Sequence, residues 1–227
     1  MSRICYINQP RGLGDILICE PIAKFYKTMG YDITYWVTDE YLWIKDYIKY
    51  VNFISTNDNY CSEREVIHTY EIVYLPLYFK QMSNQEEWNR TGWLYDKYRV
   101  AKLDPMLWKT FSFERNIEKE NTLYNELELE GKDYILVNGN SSSGGRTLNV
   151  ESDLHKVDMV FLNGYTMLDW CKVIENSKEF HTVITSAVFP AINLNHPNVT
   201  LYNRHEPNDG SFPAIVDIFK DYNFKYE

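Results

Sequence analysis

The feature that most constrains this chain is an alternation of short apolar runs with amphipathic segments, which occurs once in each half of the sequence. In the first half the predicted strands are residues 3–7, 33–37, 53–54 and 71–75. A helix is predicted from the turn at residues 9–14 to Met29, where Gly30 is a natural stop, and another over 41–50. Strands that alternate with helices indicate a parallel sheet with right-handed crossover connections.

The same alternation starts again after a charged segment at residues 116–130, which predicts a helix with Leu123, Tyr124 and Leu127 facing inward. In the second half the predicted strands are residues 134–137, 159–162, 181–184 and 199–202. Predicted helices cover 166–177, a short stretch from Ser186, and 211–222. We therefore predict an α/β protein with two Rossmann-like lobes, residues 1–120 and 121–227, whose last helix packs across the lobe junction.

Composition places the chain among folded, cytosolic proteins. Hydrophobic residues make up 44% and charged residues 24%, which is ordinary for a globular protein. No apolar run reaches the ~18 residues that a membrane span requires. The four cysteines stand far apart, so we expect buried thiols in a reducing compartment.

The net charge of −9 argues against indiscriminate binding of nucleic acid. Its distribution is uneven, because residues 1–120 hold 15 basic and 17 acidic side chains while residues 121–227 hold 8 and 15. The first half is thus nearly neutral, and the second half carries the acidic excess.

The strongest local motif is Arg11-Gly12-Leu13-Gly14-Asp15, which follows the first strand and opens a helix. Two glycines allow a sharp turn, and Asp15 then lies at the carboxyl edge of the sheet, where open α/β sheets bind ligands. A carboxylate there can act as a general base toward an acceptor hydroxyl, with Arg11 and Gly14 beside that acceptor. Alternatively, Asp15 only complements the dipole of its helix.

A dinucleotide-binding fingerprint is a second interpretation of the same turn. Gly12 and Gly14 match its first two glycines, but Leu17 stands in the third position. Asp39, after the second strand, would be the ribose-binding acid. Because the third glycine is missing and Asp15 would crowd a pyrophosphate, this match is weak.

Two further segments are candidates for phosphate binding. The loop 138–146 is rich in small residues and hydroxyls, and we expect Ser141, Ser142, Gly144 and Arg146 to form an anion site after a strand. Thr185 and Ser186 place two hydroxyls at the start of a short helix. The alternatives are a plain surface loop and ordinary N-capping, respectively.

No two aspartates are separated by a single residue, so the Asp-x-Asp metal clamp of many nucleotide-sugar enzymes is absent from the sequence. The five histidines form no ligand spacing either. We therefore expect no metal site and a mechanism without a metal ion.

The stretch from Gly12 to Leu17, followed by Pro21 and Ile22, resembles the opening of heptosyltransferase-like glycosyltransferases, which have two Rossmann-like domains (the GT-B architecture). The order of the elements from residue 134 onward is similar as well. The resemblance implies an inverting transfer with Asp15 as the base, and donor diphosphate contacts from Ser141, Ser142, Arg146, Thr185 and Ser186. The chain departs from the family at residues 185–190, where the Asp-Ser/Thr-Gly-Pro motif is replaced.

A basic and aromatic segment at residues 88–115 suggests an acceptor site. Its basic side chains are Arg90, Lys97, Arg99, Lys102, Lys109 and Arg115, and seven aromatic residues lie among them. Such a pattern suits phosphate contacts with base stacking, and equally suits a segment packed on the core. We expect Arg90, Trp93, Arg99 and Lys102 to contact the acceptor.

Together these features predict a cytoplasmic glycosyltransferase that uses a nucleotide-diphosphate sugar as co-substrate and no other cofactor. The first choice of acceptor is a hydroxymethylated pyrimidine in DNA, as for small phage-encoded glycosyltransferases, which act in the host cytoplasm. The alternatives are transfer to a surface saccharide, an NAD-dependent oxidoreductase, and a non-catalytic nucleotide-binding module.

Overall fold

The computed structural model describes residues 3–56, 65–78, 93–141, 144–204 and 212–227. The chain divides into two compact units, Met1–Glu114 and Arg115–Glu227. Each unit is built on a five-stranded sheet. The expected boundary at residue 120 falls within a helix, Ile117–Glu126, that belongs entirely to the second unit.

The first unit contains a nearly parallel sheet with strand order β3-β2-β1-β5-β4, in which only β4 runs antiparallel. Its elements are β1 (Arg3–Asn8), α1 (Leu13–Thr28), β2 (Tyr31–Val37), a 3₁₀ helix (Asp39–Asp46), β3 (Asn52–Ser55), β4 (Ile67–His68), β5 (Ile72–Pro76), α2 (Trp93–Val100) and a 3₁₀ helix (Pro105–Thr110). The predicted strands of this half are confirmed to within a few residues.

Helix α1 is the main support of the first sheet. It follows Gly12, whose φ is 79°, and is terminated near Gly30, whose φ is 83°. These left-handed values favour glycine, so both ends of the helix are set by the sequence. Two buried tyrosines join α1 to the region of α2, since Tyr98 Oη donates to the Ile18 carbonyl at 2.7 Å and Tyr26 Oη to the Ala101 carbonyl at 3.0 Å.

The helix predicted at 41–50 is instead the 3₁₀ helix Asp39–Asp46. Ile44, Tyr47 and Ile48 do face the core. The Tyr47 carbonyl, however, accepts a hydrogen bond from the Glu114 amide at 2.7 Å. A backbone group used in this way is not available to continue a helix, so the chain turns into β3.

The second unit contains a wholly parallel sheet with strand order β12-β11-β10-β6-β9. Its elements are α3 (Ile117–Glu126), β6 (Tyr134–Asn138), the two-residue hairpin strands β7 (Asn140–Ser141) and β8 (Gly144–Gly145), β9 (His155–Asp158), a 3₁₀ helix (Met167–Trp170) that continues into α4 (Cys171–Asn176), β10 (Glu179–Val183), α5 (Val188–Asn193), β11 (Val199–Tyr202), α6 (Phe212–Phe219) and β12 (Lys225–Tyr226).

The strand predicted at 159–162 is wrong, because the strand is β9, one segment earlier. Three of its four residues are exposed, and it pairs only with β6 at the edge of the sheet. An edge strand does not need the apolar run that a central strand requires. That apolar run lies outside the sheet, and Phe161 within it is 83% exposed.

Helix α3 buries Leu123 and Tyr124, as predicted, and leaves Leu127 half-buried. It also buries the Glu120 carboxylate, which accepts two hydrogen bonds at 3.0 Å from Nε of Arg115. Nη1 and Nη2 of the same arginine contact Glu175 at 3.1 and 2.9 Å. The guanidinium of Arg115 thus forms an ion-pair network with Glu120 and Glu175 inside the second unit.

The last helix, α6, brings Phe219 against Phe189 of α5, with ring centroids 6.3 Å apart, inside the second unit. Packing of this helix across a lobe junction stays a prediction. Three of the cysteines lie in the described residues, and all three are buried thiols. Burial raises the pKa of both Cys5 and Cys19 to about 12. Among the described residues, no helix has the length and apolar character needed to cross a membrane.

Candidate functional site

The first sheet has a topological switch point between β1 and β5. From β1 the chain builds β2 and β3 on one side, and it later places β5 on the other side of β1. The connections leave in opposite directions there, which opens a crevice at the carboxyl ends of the two strands. Gln9 follows β1 and Leu77 follows β5 at this edge.

Asp15 lies at this edge in the first turn of α1, and Lys97 of α2 meets it. Lys97 Nζ is 3.3 Å from Asp15 Oδ1. The same ammonium donates to Gln9 Oε1 at 2.5 Å and to the Leu77 carbonyl at 2.7 Å. The lysine side chain is 4% exposed and that of the aspartate 35%, so a buried cation stands behind a carboxylate that solvent reaches.

The second carboxylate oxygen of Asp15 lies over Gly12. A Cβ added at Gly12 would approach Asp15 Oδ2 to 2.6 Å, which no real Cβ tolerates. A side chain at residue 12 would therefore displace the Asp15 carboxylate, and the φ of 79° also favours glycine. Gly12 is the N-cap of α1 and provides no side-chain cap, and the helix starts with the Ile16 amide donating to the Gly12 carbonyl at 2.9 Å.

Two residues that follow β2, Thr38 and Tyr41, lie near the turn that precedes α1. Thr38 Oγ1 donates to the Pro10 carbonyl at 3.1 Å and so ties this loop to the turn before α1. Tyr41 is half-buried, and burial is the main reason that its pKa is raised, with the charge of Glu40 acting in the same direction. Arg11 is exposed, and its carbonyl accepts a hydrogen bond from Gln9 Nε2 at 2.7 Å.

Other acids near this edge are already engaged. The Asp39 carboxylate accepts a hydrogen bond from the Ser55 hydroxyl, and Glu40 accepts one from Thr38 Oγ1 at 3.2 Å. Leu17, in the third position of the dinucleotide fingerprint, is fully buried. In the dinucleotide fingerprint a glycine at this position lets the helix approach the strand closely, and Leu17 does not allow that approach here.

The basic and aromatic segment mostly packs on the core. Lys97, Tyr98, Trp108 and Phe111 are all buried, so the alternative of a packed segment accounts for them. The role of Lys97 beside Asp15 was missed, because a sequence gives no sign that a lysine in a basic run is the buried one.

Of the predicted acceptor contacts in this segment, Arg99 is exposed and pairs with Asp96 at 2.8 Å. Lys102 is exposed and has a positive φ of 56°. Trp93 begins α2, and nothing is described of its side chain; Arg90 lies outside the described residues. Gly14 lies in the first turn of α1, next to Asp15.

The second sheet has its own switch point, between β6 and β10, because β9 and β10 lie on opposite sides of β6. Asn138 at the end of β6 is 1% exposed. Its Nδ2 donates to Thr182 Oγ1 at 2.9 Å and to Thr185 Oγ1 at 3.3 Å. An amide and two hydroxyls therefore form a neutral polar cluster at this crevice.

The predicted anion loop is a small hairpin. Asn140 pairs with Gly145, and Ser141 pairs with Gly144 and donates its hydroxyl to the Gly144 carbonyl at 2.5 Å. The hairpin is closed by Gly139, since the Arg146 amide donates to the Gly139 carbonyl at 2.8 Å. Ser142 lies outside the described residues.

Arg146 is exposed, and its Nη1 donates to the Asn203 carbonyl at 2.9 Å, which connects the hairpin to the end of β11. Thr185 and Ser186 form a turn before α5, both half-buried. Thr185 Oγ1 accepts the Ala187 amide at 3.3 Å, so one of the amides expected to bind phosphate already has a partner. The hydroxyl of Ser186 remains a candidate.

A depression of about 340 Å³, including space open to solvent, lies beside this second crevice. Sequence reasoning missed it because the apolar run 159–162 was assigned to the sheet. Its walls combine two amide side chains with aromatic and aliphatic ones. The lining residues are Asn138, Asn140, Met159, Val160, Phe161, Leu162, Tyr165, Thr166, Met167 and Trp170.

Metal ligands do not gather in the described part of the chain, where no group of three His, Cys, Asp or Glu side chains could hold an ion. This observation concerns the residues present and does not decide how the reaction proceeds.

No protein-family model and no curated protein matches the sequence. Solved structures do match the fold. The glycosyl transferase of family 9 from Veillonella parvula superposes with a TM-score of 0.55 at 9% identity, over 88% of this chain and 80% of that one.

The iron-containing dodecameric glycosyltransferase TibC from enterotoxigenic E. coli gives a TM-score of 0.52 at 14% identity. Its complex with ADP-D-β-D-heptose gives 0.51 at 13%. Both matches cover 89% of this chain but only 58% of the TibC chain. The α/β fold with parallel sheets is that of these glycosyltransferases, and the predicted fold class is confirmed.

Proposed function

We propose that this protein is a glycosyltransferase that moves a sugar from a nucleotide-diphosphate sugar to an acceptor hydroxyl, with Asp15 as the general base. The observation that carries the proposal is the Asp15 carboxylate at the first switch point. One of its oxygens is held by a buried ammonium and the other lies over a glycine. The likeness in fold to glycosyltransferases of family 9 supports it.

The second unit is proposed to bind the donor. Its depression joins a neutral polar crevice with the exposed ring of Phe161, which suits a nucleobase and its ribose. Arg146, Ser141, Ser142, Gly144, Thr185 and Ser186 would contact the diphosphate, with Arg146 as the main cation. One of the similar structures, TibC, contains a nucleotide sugar, ADP-D-β-D-heptose.

In the proposed reaction, Asp15 Oδ2 accepts the proton of the acceptor hydroxyl while the hydroxyl oxygen attacks the anomeric carbon of the donor. The bond from that carbon to the diphosphate oxygen breaks, and the nucleoside diphosphate leaves with the electron pair. Attack from the face opposite the leaving group inverts the anomeric configuration. Arg146 and nearby amides would stabilise the leaving diphosphate without a metal ion.

For the acceptor we propose a saccharide or metabolite hydroxyl. The DNA acceptor expected from the sequence depended on stacking surfaces between residues 88 and 115, and Tyr98, Trp108 and Phe111 bury theirs in the core. A DNA acceptor would make turnover fall steeply with salt, because each phosphate contact releases a counterion. Turnover that varies little with salt is expected instead.

The experiment that tests the function is the Asp15→Asn variant. We expect turnover to fall by a factor of ~10²–10⁴, the usual effect of removing a positioned base, with donor affinity nearly unchanged. Asp32→Asn, which alters an exposed aspartate paired with Lys27, is the matched control and should keep full turnover. Product should have the inverted anomeric configuration, and EDTA should change the rate little.

Other outcomes separate the alternatives. Retained configuration or near-normal turnover by Asp15→Asn would remove the proposed base. Donor binding without turnover by the unaltered protein would indicate a nucleotide-binding module. Preferential binding of NAD over nucleotide sugars, measured by calorimetry, would favour the oxidoreductase.

A further inference from the structure

Lys97 is a buried charged group beside the candidate base, and it is held by oxygens from separate parts of the first unit. The ammonium meets the Asp15 carboxylate in α1, the Gln9 amide oxygen after β1 and the Leu77 carbonyl after β5. Because Lys97 itself lies on α2, four separate segments of the first unit meet at its ammonium. A buried cation costs free energy unless it is paired, so this arrangement needs a reason.

The position of the ammonium determines which oxygen of the Asp15 carboxylate is left to meet a substrate. The ammonium lies 3.3 Å from Oδ1, whereas Oδ2 lies on the side of Gly12, where the missing side chain leaves room. Tyr98 of α2 donates to the Ile18 carbonyl of α1 at 2.7 Å, which links the two helices that carry Lys97 and Asp15.

We propose that Lys97 is a positioning residue for the transfer reaction: it binds Oδ1 of Asp15 so that Oδ2 is presented to the acceptor hydroxyl. This inference rests on the proposed function. In this role Lys97 contacts neither substrate. It is therefore not one of the phosphate-binding side chains that the basic segment at residues 88–115 suggested.

The test is a double-variant cycle of Lys97→Met and Asp15→Asn, measured by turnover and by donor affinity. We expect Lys97→Met to lower kcat by about 10- to 100-fold, as misplacement of a reacting group does, with donor affinity unchanged. In the Asp15→Asn background the same change should have almost no effect on kcat, because the group that it positions is gone. A purely structural lysine would lower activity in both backgrounds equally.

Lys27→Met is the matched control, since Lys27 also faces an aspartate, Asp32, at a similar distance of 3.5 Å but on the surface. If Lys97→Met does not fold, Lys97→Gln keeps a donor for the Leu77 carbonyl without the charge and takes its place. Normal kcat for the Lys97 variant with an inactive Asp15→Asn overturns the positioning role alone. Normal turnover by Asp15→Asn overturns the proposed base, and the role of Lys97 with it.

Discussion

Replacing Gly139 by alanine should damage the proposed donor site through the backbone alone. A Cβ at this position would lie 2.0 Å from the Arg146 carbonyl oxygen, whereas real Cβ atoms keep at least 3.0 Å from such neighbours. The two backbones must therefore separate by about 1 Å. That movement strains the 2.8 Å hydrogen bond from the Arg146 amide to the Gly139 carbonyl, which closes the hairpin.

The expected cost follows from these contacts. Overpacking of a fixed site costs about 1–3 kcal/mol, and a typical hydrogen bond contributes about 0.5–1.5 kcal/mol. We expect Gly139→Ala to lower the free energy of unfolding by about 1–3 kcal/mol, since relaxation of the hairpin relieves part of the overlap. Donor affinity should fall by at least about tenfold, because Arg146 moves with its backbone.

Urea unfolding and calorimetric titration with nucleotide sugars would measure both quantities. Gly145→Ala is the matched control in the same hairpin, because its added Cβ would meet Asn140 Oδ1 at an ordinary 3.5 Å. It should be close to neutral in both assays. If Gly139→Ala unfolds and binds like the unaltered protein, the close approach of Gly139 to Arg146 does not shape this site.

Two further predictions use the same assays. Arg146→Ala should weaken donor binding by about 10- to 150-fold, the equivalent of one charge-assisted contact of about 1.5–3 kcal/mol. The control Lys156→Ala, which alters an exposed pair with Asp158, should leave donor affinity unchanged. If Arg146→Ala binds every donor as tightly as the unaltered protein, Arg146 is not part of the site. Burial raises the pKa of Glu20 above 4.5, so its contribution to stability is full below that pH and declines as pH rises through the folded value. Glu20→Gln should therefore reduce the loss of unfolding free energy between about pH 4 and about pH 7, measured by urea unfolding. If the variant and the unaltered protein lose the same unfolding free energy over this range, the titration of Glu20 does not cause the loss.

The architecture was predictable because it depends on local patterns. Alternating apolar runs, the glycines at 12 and 30, and the capping box of Thr166 and Asp169 each act within a few residues. The place of Asp15 in the first turn of α1 was predicted in the same way, from a turn that follows a strand. In both cases the physical cause lies in neighbouring residues, which a sequence displays directly.

The parts that were missed depend on contacts between distant segments. Lys97 is buried because Gln9, 88 residues earlier, supplies an acceptor oxygen. The apolar run 159–162 resembles a strand, but β9 takes the edge position and the run lines the depression instead. Composition alone does not distinguish a basic strip on the surface from one that packs inward.

The two switch points differ in charge, and the difference agrees with the division of labour proposed here. At the first, the carboxylate of Asp15 and the ammonium of Lys97 lie 3.3 Å apart at the crevice. At the second, the side chains that meet are an amide and hydroxyls, and the lining described for the depression contains no charged residue.

Absence of carboxylates from that lining matters because residues 121–227 carry an excess of seven negative charges. A diphosphate would be repelled by an acid at the crevice. Asp169, which lies in sequence between the lining residues Met167 and Trp170, is buried, and its Oδ2 accepts hydrogen bonds from the amide and the hydroxyl of Thr166 at 2.7 and 2.9 Å. Arg146 at the hairpin then supplies the positive charge on this side. An acidic unit can thus bind an anion if its acids are kept away from the one edge of the sheet where the ligand lies, and this is the arrangement that the second unit supports.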